Sequence, residues 1–186
     1  MSETASDERP RGWPEGWRHC PRCAHALEWR AELEDGGPTH RLRCSACDFT
    51  HWNNPTPVLA AIVQCTDREG RILLARNAAW TRPFHGLITG FMEAGESPEE
   101  GIRREIAEET SLQVEALTLV GVHDFQRMNQ VLITYHALAH GEVRLSPELV
   151  DYRLVAPADL LCWPAGTGQA LAQWLRGQGI EPRWLE

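Results

Sequence analysis

The chain is predicted to be an α/β protein, with strands surrounding one central helix and one late helix, and a small cysteine-built ribbon ahead of them. Three observations predict this class. Two C-x2-C pairs, Cys20/Cys23 and Cys44/Cys47, sit near the start. Apolar, strand-like runs recur from Val58 onward, separated by turn residues. Among them lies an acidic segment, Gly90 to Leu112 (GFMEAGESPEEGIRREIAEETSL), with the start signals and spacing of a helix.

Taken in order, residues 1–17 (MSETASDERPRGWPEGW) are polar and rich in Pro and Gly. They read as a disordered leader, neither a signal peptide nor a membrane span. Residues 18–52 carry the two cysteine pairs, 20 residues apart. Four thiolates in two close pairs suit one tetrahedral Zn²⁺ with every position filled by protein. Such an ion has no place for water, so it is expected to be structural and to supply folding energy that so short a segment cannot draw from a core. Leu27–Leu33 and His40–Arg43 are expected strands around an Asp35-Gly36-Gly37 turn, a zinc ribbon. Two disulfides or a redox C-x2-C are the alternatives; a cytosolic chain argues against the first and the missing following helix against the second. Arginines 18, 22, 30, 41 and 43 are balanced by acidic residues 28, 32, 34, 35 and 48. The ribbon therefore carries no electrostatic footprint for nucleic acid, and packing or homodimerisation is the role expected of it.

Residues 53–57 (Asn-Asn-Pro-Thr-Pro) form a stiff linker, and 58–186 a second domain. Val58–Cys65 and Arg71–Arg76 flank Asp67-Arg68-Glu69-Gly70 and suggest a hairpin. Asn77–His85 is a polar-aromatic loop, and Gly86–Thr89 a short strand that delivers Gly90. The helix should run from Pro98 to Thr110: Ser97 as N-cap, Pro98 at the first helical position and Glu100 completing a capping box. Val114–Phe125, Gln130–Ala139 and Tyr152–Val155 are strand-like. Gly166-Thr167-Gly168 opens a closing helix whose Leu171, Trp174 and Leu175 face the core. Cys65 and Cys162 have no cysteine neighbours and are expected to be buried, inert thiols.

The acidic helix carries the chemistry. Gly90–Leu112 sets seven glutamates against two arginines. Glu105 and Glu109 stand one turn apart with Glu108 beside both, and Ile102 and Ile106 form the neighbouring buried stripe. Stacked like charges cost stability unless a hard, oxygen-seeking cation neutralises them. Such an ion held by carboxylates points to phosphate chemistry. Arg104, four residues before Glu108, can pair with it.

The pattern G-x5-E-x7-R-E-U-x-E-E-x-G-U (U, bulky apolar) is the signature of Nudix hydrolases, and the chain resembles that family at Gly90, Glu96, Arg104, Glu105, Ile106, Glu108, Glu109 and Leu112. Ser111 replaces the signature's last glycine, which normally ends the helix in a left-handed conformation. The resemblance implies a Nudix α/β/α sandwich with a mixed sheet and a Mg²⁺- or Mn²⁺-dependent pyrophosphohydrolase. It assigns Glu105, Glu108 and Glu109 as metal ligands and catalytic groups, with the Thr89 carbonyl completing a shell. Arg104 orients the glutamates, and Gly90 and Glu96 stand behind them. A further carboxylate is expected from beyond the signature, with Glu148 and Asp151 as candidates. A zinc ribbon before such a domain is the order found in NADH pyrophosphatases, but Val122–Gln130 lacks the prolines and tryptophan of their downstream specificity stretch.

The expected substrate is a nucleoside diphosphate linked to another group, such as ADP-ribose, NADH, NAD or a related dinucleotide. Phe125, Trp80 and Phe84 are candidates to stack on its base, and Arg127, with Gln126 and Asn129, to hold phosphate or ribose. His85, His123 and His136 are further acid–base candidates. Two rivals are a non-catalytic sensor that binds ADP-ribose or NAD and regulates a partner, and an RNA-end-processing enzyme; a net charge of −8 argues against a nucleic-acid partner. All 18 basic residues are arginine, which excludes a Schiff-base or P-loop lysine. No membrane partner and a cytoplasmic location are expected.

Overall fold

The structure, a computed structural model, describes residues 16–185. The chain divides into two units, Met1–Pro55 and Thr56–Glu186. All but the last two residues of the expected leader lie outside the described residues.

The first unit is a three-stranded antiparallel sheet of β1 (Leu27–Glu34), β2 (Gly37–Cys44) and β3 (Thr50–His51), in that order. Arg41 donates to both oxygens of Glu34, and Arg43 to Glu32, across the β1–β2 pair. Trp29 stacks on His40 across the same pair. Among the described residues of this unit only Cys20 and Cys44 are buried. It has no apolar core, so its strands cannot be held by hydrophobic burial alone.

The second unit is built on a six-stranded mixed sheet. Its strands are β4 (Thr56–Cys65), β5 (Arg71–Asn77), β6 (Ile88–Phe91), β7 (Gln113–Phe125), β8 (Gln130–His140) and β9 (Leu149–Val155). The order is β7-β8-β4-β5-β9, with β6 also on β4. The β4–β8 pair is parallel and the others antiparallel. Leu59 to Val63 of β4 are fully buried, because helices cover both faces. On one face, α1 (Pro98–Thr110) packs Ile102 and Ile106 against Leu59, Val63, Leu73 and Ile88. On the other, α2 (Gly168–Gly177) packs Leu171, Trp174 and Leu175 against Ile62, Ile72 and Leu74. Each such side chain contributes about 1.5–3 kcal/mol on burial. The result is the α/β/α sandwich that the element order predicted. A short parallel pair, β10 (Leu161–Cys162) with β11 (Arg183–Trp184), completes the unit.

Several boundaries differ from expectation. Thr56 and Pro57, expected to end the linker, begin β4 and pair with Gln130 and Val131 of β8. A proline at the start of a strand leaves no ladder donor missing. β6 starts at Ile88, and Gly86 only bridges Ala75. Thr167 stands at the N-cap of α2, but its side chain makes no capping bond. Gly168 is required there for another reason: a Cβ would collide with the carbonyl of Trp163.

Candidate active site

In the first unit the four cysteine sulfurs lie within 4.8 Å of one another. Neighbouring sulfurs are 3.4–3.6 Å apart, close to the ~3.8 Å edge of a tetrahedron with zinc–sulfur bonds of about 2.3 Å. They are well beyond the ~2.05 Å of a disulfide, and all four thiols are free. Each knuckle turns a backbone amide onto its first cysteine: Arg22 N–H on Cys20 (3.4 Å) and Ala46 N–H on Cys44 (3.3 Å). The Ala46 amide draws the Cys44 thiol down to about 6, while the Cys44 thiol beside it and burial push Cys23 up to about 12 and burial raises Cys47, so the four sulfurs do not ionise together on their own. The donor set fits structural zinc.

In the second unit the capping box forms as the sequence dictates. Glu100 N–H donates to Ser97 Oγ (3.3 Å), and Ser97 N–H to Glu100 Oε2 (2.8 Å). This fixes the start of α1 and hence which glutamates face the sheet, worth about 1 kcal/mol. At the other end Ser111 adopts the left-handed conformation (φ 61°) that a glycine would take there, and its N–H donates to Ala107 O.

Arg104 gathers the surrounding acids. Its guanidinium donates to both oxygens of Glu96 (2.9 and 3.1 Å), to Glu105 (2.8 Å), to Glu108 (3.1 Å) and to the Phe91 carbonyl (3.3 Å). Glu96 also accepts from the Glu93 amide, and with Arg104 this holds its carboxyl below the usual range. Glu105 packs onto Gly90 so closely that any Cβ there would collide with its carboxylate. Glu108 turns outward, 62% exposed.

Glu109 differs from its neighbours. Its residue is 7% exposed and, among the described residues, its carboxylate has neither a hydrogen bond nor an ion pair. Burial, followed by the charges of Glu105, Glu148 and Glu108, pushes it up to about 7. Burial likewise raises Glu105, with Arg104 opposing. A buried carboxylate without a counter-charge, among three others, is an arrangement that a bound cation would stabilise. Hard oxygen donors of this kind fit Mg²⁺ or Mn²⁺. The glutamates do not close to the spacing of the cysteines: among the described residues only the cysteine quartet has all its ligand atoms within 4.8 Å. Mg²⁺ accepts such an open arrangement, since it keeps waters and takes substrate oxygens beside one or two carboxylates.

Of the two late carboxylates, Glu148 lies near enough to raise both Glu105 and Glu109. Asp151 is instead bound to His85 (2.9 Å), which holds it below its ordinary range. His123 is bonded to Gln173 (3.0 Å) and His136 to Gln64 (2.8 Å), so neither reaches the acidic helix.

A cavity of about 700 Å³ opens beside this helix's partner strand. Trp80, Phe84, Phe125 and Arg127 all line it, and so does Thr89, the residue before Gly90. Arg127 lies over the Phe125 ring at 5.7 Å. Phe84 is wedged between Trp80 (5.5 Å) and Trp163 (5.0 Å, edge-on). Trp163 and Arg82 belong to the wall although the sequence did not single them out, and so does Thr167, expected only at the opening of the closing helix. Trp163 and Thr167 flank the glycines that open α2, the one sequence cue that this loop approaches other backbone closely.

Sandwich, glycine-seated glutamate and acidic helix together define a Nudix-fold protein. Residues 55–176, about two thirds of the chain, match the NUDIX domain, and the chain belongs to that family. Among curated proteins, the NAD-capped RNA hydrolase NudC of Pseudomonas putida is 27% identical over 168 residues, covering 88% of this chain and 56% of the relative. The protein of the same name from Mycobacterium tuberculosis is 31% identical over 134 residues, 64% and 41% of the two chains. The chain thus spans about half the length of the curated relatives it matches. Among solved structures, a NUDIX hydrolase from Nitrosomonas europaea superposes with a TM-score of 0.71 at 23% identity, covering 90% of this chain and 96% of that one. This likeness establishes the shared fold. No helix among the described residues is long and apolar enough to cross a membrane.

Proposed function

We propose that the protein hydrolyses the diphosphate linkage of a nucleoside diphosphate joined to another group, such as ADP-ribose, NAD or NADH. One observation carries this reading: Thr89 lines the aromatic cavity while the adjacent Gly90 seats Glu105, so a nucleotide in the cavity has its diphosphate at the acidic helix. Glu105, Glu108, Glu109 and the Thr89 carbonyl would hold Mg²⁺ or Mn²⁺. When bound, the ion supplies charge neutralisation and polarises phosphorus.

The chain's own groups do the rest. Arg104 holds Glu105 at one position, from which it takes a proton from the attacking water. The new P–O bond forms in line with the breaking anhydride P–O bond, and the second phosphate leaves as a monoester. Trp80, Phe84 and Phe125 offer faces for the base, worth ~1–3 kcal/mol per stack. Burial of the ring in the cavity orients the diphosphate before reaction.

The names of the curated relatives support an NAD-type dinucleotide as the substrate, free or at an RNA end. The net charge of −8 supports the free form. A regulatory sensor would have no need of a complete glutamate set. The free thiols fit a cytoplasmic protein with a zinc ribbon at 18–52 and a hydrolase domain at 58–186.

The test is a panel of ADP-ribose, NAD, NADH, coenzyme A, diadenosine polyphosphates and an NAD-capped oligonucleotide, each with Mg²⁺ or Mn²⁺. Release of a mononucleotide from at least one is expected. Tight binding of ADP-ribose or NAD with no cleavage of any compound would replace this reading by the sensor.

A further inference from the structure

Eight arginines are tied to acids: Arg22 to Asp48, Arg30 to Glu28, Arg41 to Glu34, Arg43 to Glu32, Arg68 to Asp67, Arg71 to Glu69, Arg104 to three glutamates and Arg144 to Glu142. Arg82 and Arg127 are not, nor, among the described residues, are Arg18, Arg76, Arg103, Arg153, Arg176 and Arg183; of these unpaired arginines only Arg82 and Arg127 line the aromatic cavity, on different loops. In a chain with 26 acidic residues, two unneutralised guanidiniums on one cavity wall mark where an anion fits.

That anion is distinct from the diphosphate that is cleaved. Gly90 pairs with Leu59 of β4, and Leu59 with Ile133 of β8. Two inter-strand spacings give about 10 Å, and the three residues from Ile133 back to Gln130 another ~10 Å along the strand, so Gln130 stands roughly 14 Å from Gly90. Arg127, in the turn that precedes Gln130, lines the same cavity. A sphere of about 700 Å³ is about 11 Å across, room for one nucleotide within reach of both arginines.

We infer that the cavity takes a nucleotide whose ribose carries a phosphate monoester of its own, at the 2′ or 3′ position, gripped by Arg82 and Arg127. This rests on the pyrophosphohydrolase reading for its orientation. Two planar guanidiniums suit one dianion with bidentate bonds. A polynucleotide would call for a basic track continuing from the cavity, whereas the only arginines that line it are Arg82 and Arg127.

Calorimetric titration of the full chain with adenosine 2′,5′-bisphosphate, adenosine 3′,5′-bisphosphate and AMP tests this without catalysis. One bisphosphate should bind at least about tenfold more tightly than AMP, a gain of about 1.4 kcal/mol; which one tells the 2′ source from the 3′ source. Arg127→Ala and Arg82→Ala should each bring that ratio down to about threefold or less, Arg127→Lys should retain more of it, and circular dichroism should show every variant folded. Equal binding of AMP and both bisphosphates overturns the inference. So does a preference that survives both alanine substitutions, or binding of the dinucleotide pApA about tenfold tighter than either bisphosphate. A hydrolysis arm compares NADPH with NADH and coenzyme A with its dephospho form. No cleavage with a preserved bisphosphate preference sinks only the hydrolase reading; cleavage indifferent to the extra phosphate sinks only this one.

Discussion

The two candidate metal centres of this chain are built on opposite plans. The cysteine quartet is closed: its sulfurs already stand at the edges of a tetrahedron. Among the described residues of that unit only two of these cysteines, Cys20 and Cys44, are buried. The glutamate cluster is open: Glu109 is buried with no partner among the described residues, Glu108 faces outward, and Arg104 binds Glu96, Glu105 and Glu108. Beneath it lies a sandwich whose core does not depend on it. A closed shell holds a fold together, whereas an open one leaves coordination positions for something that comes and goes.

The sharpest way to break that contrast is to remove each metal. Chelation strong enough to take zinc should unfold the ribbon, which forfeits on the order of 10 kcal/mol of metal-linked stability, while the sandwich stays folded. Metal analysis should find about one zinc per chain beforehand, and amide exchange should localise the loss to residues before Thr56. A sandwich that melts together with the ribbon would contradict the separation.

Glu109→Gln should lower turnover by about a thousandfold, some 4 kcal/mol of barrier, with unchanged circular dichroism. Unaltered kcat would remove Glu109 from the site. Its raised pKa also sets a pH dependence. The folded carboxyl titrates at about 7 against 4.5 for the ordinary group, so the folded state binds its proton more tightly than the unfolded one. Metal-free stability should therefore fall as pH rises from about 4.5 to 7, by roughly 3 kcal/mol, and stay level above. Denaturant titrations in chelator should show a steeper fall over that window in the wild type than in Glu109→Gln, and a reduced slope in the wild type with millimolar Mg²⁺.

Gly90→Ala forces the Glu105 carboxylate aside and should lower kcat by about a hundredfold, read in steady-state kinetics, with little change in zinc content. The smallest effect concerns Ser111. Glycine suits its left-handed backbone better, so Ser111→Gly should raise stability by up to ~1 kcal/mol in thermal melts and leave kcat unaltered.

Much of this contrast could be read from local chemistry. Ser97, Pro98 and Glu100 specify the start of α1 without help from the rest of the fold, and the cysteine spacing specifies the knuckles. What sequence could not specify was anything decided by distant neighbours. Thr56 and Pro57 look like a linker until β8 lies alongside to pair with them. β10 and β11 are two residues each, too short for a period. Trp163 and Thr167 reach the cavity on the loop that leads into α2, and Arg82 on the loop between β5 and β6. Glu148 and Asp151 are equivalent candidates by composition, yet His85 captures one and leaves the other facing the acids.

Arg104 adds a consequence in time. By bridging Glu96, Glu105 and Glu108 it serves as a resident stand-in for much of the missing positive charge. On the proposed reading, the sandwich could therefore form before any divalent cation binds at the acidic helix. If the cysteine quartet takes zinc as its donor set fits, the ribbon would instead fold with its ion, and the two halves of one polypeptide would answer to two different metal supplies.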